Sequence, residues 1–259
     1  MGQGRGARLS ILVTAVVLLC SACASMEVRR EEADAHYQMA NSYLQQERGF
    51  QDETNRRMAY PELMEAIRLD PNNASYYLVL GTLYLYSREF LKAESEIRKA
   101  LDIDPNLGDA RNNLGLVFIE QGRLNEAIVE FKKAVDNLSY QTAEVAYFNL
   151  GRASFLVGNY TEAAEALNRS LAILPANVEA RFFLGRSYVK LGRLRDAEKA
   201  FLAALEMDPD APRTHYELGV VLFKLDRKEE ASQHFQQVVK LDPDSEIADQ
   251  ARTYIKLLR

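Results

Sequence analysis

From Leu184 to Pro209 the chain reads LGRSYVKLGRLRDAEKAFLAALEMDP, and the same skeleton returns along most of its 259 residues. A Leu-Gly pair opens the stretch. Ala197 follows Gly185 by twelve positions, and Phe201 follows Ala197 by four. The pair recurs as Leu80-Gly81, Leu114-Gly115, Leu150-Gly151 and Leu218-Gly219, so the glycines stand 34, 36, 34 and 34 residues apart. The second small residue recurs as Ala93, Ala127, Ala163 and Ala231, and the bulky one as Ile97, Phe131, Leu167 and Phe235. Pro71, Pro105, Pro175, Pro209 and Pro243 close the units, mostly within an Asp-Pro pair.

The spacing has a physical reading. A Gly in one helix and an Ala in the next let two backbones approach closely, while the Leu and the bulky residue fill the space beside them. A Pro at the boundary removes an N–H and stops one helix before the next begins. Helices of about a dozen residues are marginal alone in water, so stability must come from stacked neighbours. This is the tetratricopeptide pattern, repeated in six units. It predicts an all-α fold, a right-handed superhelical solenoid of six helix pairs with a C-terminal capping helix.

The ends of the array depart from the repeat. In the first unit His36, Met39, Ala40 and Tyr43 fit a first helix, and Ala59, Leu63, Ala66 and Pro71 a second. Seven extra residues lie between these frames, around Arg48 to Met58, either as a longer hairpin tip or as a docking element. After the last unit, Ile247, Ala248, Ala251, Tyr254, Ile255 and Leu258 fall on one helical face, with Ser245 as an N-cap.

At the N-terminus Arg5 and Arg8 precede the apolar run from Ile11 to Cys20, which is shorter than the ~20 residues a bilayer core requires. Small residues follow, which is the layout of a secretory signal peptide. The exit Leu19-Cys20-Ser21-Ala22-Cys23 resembles a bacterial lipobox, with Cys20 where Leu is usual. That resemblance implies lipidation of Cys23 as the first mature residue, and Ala24 in place of Asp implies sorting to the outer membrane. An ordinary cleaved signal and an uncleaved anchor are the alternatives. The expected layout is a signal at 1–22, a tether at 23–32, and six units at about 33–72, 73–106, 107–142, 143–176, 177–210 and 211–243. A cap occupies 244–259. An extended tether of that length reaches ~35 Å at most.

Composition excludes several function classes. With 47% hydrophobic and 27% charged residues the chain reads as folded, not disordered. A net charge of −5 and the lack of a long Lys/Arg block argue against nucleic acid. Cys20 and Cys23 are the only cysteines, and His36, His215 and His234 the only histidines, none at the i, i+4 spacing of a helical metal pair. No catalytic residues, metal, cofactor or small-molecule substrate are therefore expected, and the repeats leave no room for a catalytic domain.

The binding surface is expected along the first helices of the units. Positions two turns apart give Tyr37/Leu44, Leu78/Leu85, Asn112/Ile119, Phe148/Phe155, Phe182/Val189 and Tyr216/Phe223. So apolar a row suggests a groove for a helix or extended peptide, although about half of these residues are expected to be core. Arg152, Arg186 and Arg213 form a basic border to it or are simply solvated. Tyr37 and Val79 stand where grooves that clamp a C-terminal carboxylate carry Lys and Asn, which disfavours that mode.

The combination of lipobox, six repeats and cap resembles the type IV pilus biogenesis lipoproteins, the pilotins of the PilF/PilW/Tgl type. The stretch Tyr140-Gln-Thr142-Ala-Glu-Val-Ala146-Tyr-Phe-Asn149-Leu-Gly151 resembles that family's linker, with Ala143 in place of the usual Pro. Gly108-Asp-Ala-Arg-Asn112-Asn-Leu-Gly115 resembles its third unit. The resemblance implies an outer-membrane lipoprotein on the periplasmic face that binds the type IV pilus secretin and promotes its localisation and multimerisation. A general periplasmic adaptor, scaffolding outer-membrane protein assembly or peptidoglycan enzymes, is the alternative.

Overall fold

A computed structural model describes residues 26–137 and 140–258, and every ordered element in them is helical. Helix α1 spans residues 26–44, and a 3-10 turn at Gly49–Gln51 leads to α2, Glu53–Leu69. There follow α3 Ala74–Tyr86, α4 Phe90–Ile103, α5 Gly108–Glu120, α6 Leu124–Val135 and α7 Ala143–Leu156. The chain continues with α8 Tyr160–Ile173, α9 Val178–Lys190, α10 Leu194–Leu205, α11 Pro212–Lys224, α12 Lys228–Leu241 and α13 Glu246–Leu257. Among the described residues no helix is long and apolar enough to cross a membrane. The signal segment and Cys23 lie outside the described residues.

Residues 26–32, the described part of the expected tether, are helical and continuous with α1. The run Met26-Glu-Val-Arg-Arg-Glu-Glu32 is rich in good helix formers and free of Gly and Pro. A helix rises ~1.5 Å per residue, less than half the extended value, so this part of the chain has a short reach.

One hairpin geometry recurs. In each of five hairpins a first helix ends in a residue with positive φ: Arg88 (61°), Gly122 (76°), Gly158 (88°), Gly192 (73°) and Asp226 (60°). The amide after it donates to the carbonyl five residues back, as in Glu89 to Tyr84, Arg123 to Phe118 and Arg193 to Tyr188 at 2.8–2.9 Å. This is the Schellman closure, which satisfies a carbonyl that the helix end leaves open and turns the chain sharply.

The molecule divides into two compact units, one ending at Asn113 and the other beginning at Leu114, so the boundary falls within α5. In the first unit Ala40, Leu44, Ala59, Leu63, Leu80 and Leu83 form a buried cluster. Tyr76 is buried against Ala33 and Ala66, its hydroxyl donating to Asp34 Oδ1 at 2.5 Å. Gly81 faces Ile97, where an added Cβ would lie 2.5 Å from the isoleucine side chain. The extra residues of the first pair form a longer hairpin tip that folds back on its own unit. Asp52 caps α2 by accepting from the Thr54 and Asn55 amides, and Arg56 Nη1 donates to the Phe50 carbonyl at 2.6 Å. The Phe50 ring stacks on Tyr86 at 5.4 Å.

In the second unit the four glycine contacts repeat: Gly115 faces Phe131, Gly151 Leu167, Gly185 Phe201 and Gly219 Phe235. Phe131, Leu167, Phe201 and Phe235 are fully buried, as are Ala127, Ala163, Ala197 and Ala231. Helix α13 closes the C-terminal end. Ser245 caps it through the Ala248 amide, Ala248 and Ala251 are buried, and Ile247, Tyr254, Ile255 and Leu258 pack on the same core. The Tyr254 ring stacks flat on Phe235, centroids 4.7 Å apart.

Candidate protein-binding site

The ten residues read as groove-lining divide by burial. Leu44 is 6% exposed, Phe155 8% and Phe182 4%, so these three are core and present nothing to a partner. The cause is contact with a facing helix, which belongs to the next pair for Phe155 and to its own hairpin for Phe182. Phe155 meets Phe183 edge-on at 5.6 Å, and Phe182 meets Phe201 at 6.0 Å. Tyr37, Leu78 and Leu85 in the first unit are half-buried, and so are Ile119, Phe148, Tyr216 and Phe223 in the second.

In the first unit the face is tyrosine-rich and tied into the helix stack. Tyr37 tilts against Tyr76 at 5.0 Å. Burial, with the Tyr60 hydroxyl 3.5 Å away as second cause, raises the Tyr84 phenol above its ordinary value. Both rings serve as apolar surface with a polar tip.

The second unit combines rings with cations. α7, α9 and α11 each bring at least one aromatic ring and one arginine to the side of the first helices. The Arg152 guanidinium lies 5.9 Å from the Phe148 ring centre, that of Arg186 4.7 Å from Phe155, and that of Arg213 4.7 Å from Phe182. Each of these rings thus has a cation beside it, each contact contributing on the order of 0.5–1 kcal/mol at a wet surface. Arg186 Nε also pairs with Glu217 Oε1 at 3.2 Å. Burial raises the Glu217 carboxyl above the usual range, while Arg186, Lys190, Lys224 and Arg213 pull it back down. Burial wins, so four cations surround one poorly solvated acid.

Three of these residues escaped the sequence reading. Lys190 and Lys224 stand five positions after Gly185 and Gly219, and Glu217 stands two before Gly219. The 34-residue register therefore held the signal for both lysines. Glu217 has no counterpart in the neighbouring repeats, and only the fold reveals its place.

The histidines are also brought into contacts that their spacing concealed. His36 Nδ1 lies 2.6 Å from Glu62 Oε2. His215 and His234, nineteen positions apart on α11 and α12, face each other Nδ1 to Nδ1 at 2.9 Å. His215 Nε2 lies 2.9 Å from the Pro209 carbonyl, which can only accept. The neutral pair therefore has His215 Nε2–H donating to Pro209 and His234 Nδ1–H donating to His215 Nδ1. Among the described residues no group of three or more His, Cys, Asp or Glu side chains is placed to hold a metal.

Repeated helix hairpins with a ring-and-cation face define a helical-repeat scaffold for protein–protein interaction. The sequence places it more narrowly, since two tetratricopeptide-repeat family models match, one at 78–142 and 184–246 and the other at 155–206, together more than half the chain. The chain belongs to the tetratricopeptide-repeat family, whose members bind protein partners, and neither matching model is of a catalytic family. Among solved structures it is similar to PilW, a widely conserved type IV pilus biogenesis factor. That likeness has 26% identity and a TM-score of 0.71 over 85% of this chain and 98% of PilW. It is similar to PilF of Pseudomonas aeruginosa at 22% identity, with a TM-score of 0.75 over 87% of this chain and 98% of that one. YrrB, a tetratricopeptide-repeat protein with an unusual peptide-binding site, matches at 24% identity and a TM-score of 0.66, over 74% and 97% of the two chains. The last two likenesses speak to fold alone. No curated protein matches in sequence.

Proposed function

We propose that this protein is a pilotin, a lipoprotein of the outer membrane that binds the type IV pilus secretin on the periplasmic face and promotes its localisation and multimerisation. The observation that carries the reading is the likeness to PilW, which extends over nearly the whole of that chain and most of this one. Two sequence features support it: the lipobox-like exit at Cys23 and the linker from Tyr140 to Gly151. In this reading the lipid anchor holds the repeats near the membrane, where a newly exported secretin subunit arrives. The faces of first helices then hold that subunit while it joins its neighbours.

The test is to delete the gene in its host and follow the secretin by membrane fractionation and as heat-resistant multimer on a gel. The expected result is loss of multimer from the outer membrane, restored by the wild-type gene. Normal secretin multimer together with normal pili would overturn the reading and leave the general envelope adaptor in its place.

A further inference from the structure

The first helices of the second unit gather five cations; four of them act on Glu217, and Glu179, Asp208 and Asp210 line a cleft beside Phe182 and Arg213. Arg152, Arg186, Lys190, Arg213 and Lys224 come from α7, α9 and α11, and the last four all act on the single carboxylate of Glu217. Of the five, Arg186 alone has a carboxylate within salt-bridge distance among the described residues. Lys190, Arg213 and Lys224 are exposed, and Arg152 is half-buried beside Phe148. The whole chain is acidic, at −5, so this cluster of cations is local and opposes the overall sign.

The rings on the same helices complete the pattern. Phe148, Tyr216 and Phe223 are half-buried, the last two edge-on to Tyr254 of α13, so each leaves part of an apolar surface open. A face built to enter lipid would hold its rings outermost; here they are recessed, while Lys190, Arg213 and Lys224 are exposed. Recessed apolar strips beside exposed cations complement a chain whose acidic and apolar side chains alternate.

We propose that this face binds an acidic protein segment, pairing its carboxylates with Arg152, Lys190, Arg213 and Lys224 and laying its apolar side chains on Phe148, Tyr216 and Phe223. This rests on the chain's role as a protein-binding scaffold and adds the chemistry of the partner. Arg186 and Glu217 neutralise each other at the floor, and their pair holds α9 to α11 beneath the bound segment.

The test uses the full-length protein in neutral phosphatidylcholine vesicles. The probes are a labelled peptide of roughly twelve residues alternating Glu or Asp with Phe or Leu, and its Gln/Asn counterpart. The acidic peptide is expected to bind at least about tenfold tighter, and raising the salt should weaken it. The quadruple variant Arg152→Gln, Lys190→Gln, Arg213→Gln, Lys224→Gln should lose about tenfold at a temperature well below its own melting point. If that variant fails to fold, the double variant Lys190→Gln, Lys224→Gln, which alters only exposed side chains, should still lose about threefold.

Equal binding of both peptides, or unchanged binding by the variants, would overturn the proposal. Cation-dependent capture of phosphatidylglycerol vesicles without peptide binding would also overturn it, assigning the face to lipid. Self-association of the wild type that the variants lack would assign it to a second copy. The peptide assay reads this face and the secretin multimer reads the cellular role, so either idea can fail while the other stands.

Discussion

The contact between a glycine and a fully buried side chain is the smallest unit of this fold. A Cβ on Gly185 would lie 2.5 Å from Phe201 Cε1, and that ring is fully buried. Gly185→Leu is therefore expected to overpack the hairpin and lower stability by ~1–3 kcal/mol in urea or thermal unfolding. Gly192 is a glycine for a different reason, since nothing lies within 4 Å of its added Cβ but its φ is +73°. Gly192→Ala should cost ~1 kcal/mol through backbone strain alone. The same logic runs backwards at Arg88, whose φ of 61° fills the turn position that Gly122, Gly158 and Gly192 fill elsewhere. Arg88→Gly removes a left-handed strain of ~1–2 kcal/mol and adds somewhat less in unfolded-chain entropy. It should raise the midpoint of chemical unfolding slightly, and a lowered midpoint would show that the Arg88 side chain contributes more than its backbone costs.

At the scale of helices, the α11–α12 hairpin carries a titratable contact. Burial, then the adjacent His215, lowers the His234 pKa from its ordinary 6.5, with Glu230 opposing and Arg227 adding to the shift. The unfolded chain therefore binds a proton more readily than the folded one between the lowered value and 6.5. Stability contributed by neutral His234 is complete above about 6.5 and is lost as pH falls below it. Melting temperatures of wild type and His234→Gln, measured from pH 8 to pH 5, should diverge in that way, the variant having the flatter profile. Parallel profiles would mean that the histidine contact does not respond to protonation. Helix boundaries of this kind were largely legible in the sequence, because Gly, Ala, Pro and the bulky residue each mark a fixed point of the hairpin. The histidine contact was not, because it depends on which faces of two antiparallel helices meet, and a spacing of nineteen encodes no such rule. Phe155 and Phe182 were misplaced on the groove for a related reason. Their positions match the exposed register of an isolated helix, and Phe183 of the next pair covers Phe155 while Phe201 of the same hairpin covers Phe182.

For the whole molecule, the proposed anchor and the repeats would make separable contributions. The lipobox reading places the membrane attachment at Cys23, ahead of every helix described. Cys23→Ala is expected to move the protein from the membrane fraction to the soluble one while its melting temperature and helical circular dichroism stay unchanged. Membrane retention of that variant would place the attachment elsewhere. The number and kind of repeats could be read from composition and period alone, since the pattern is local and redundant. The partner-facing chemistry was harder to read. A cation over a ring, or an acid among four cations, is assembled from separate repeats, and in any one of them it resembles ordinary solvated charge.

Each glycine and the side chain it faces are only sixteen residues apart, all within one hairpin. The array thus closes through loops of low contact order, where little chain entropy must be lost before the first stabilising contact forms. Any hairpin can nucleate folding, and its neighbours then add by short-range zippering. A chain delivered vectorially, one end first, can begin to lock before its last residues arrive, with no distant segment to wait for.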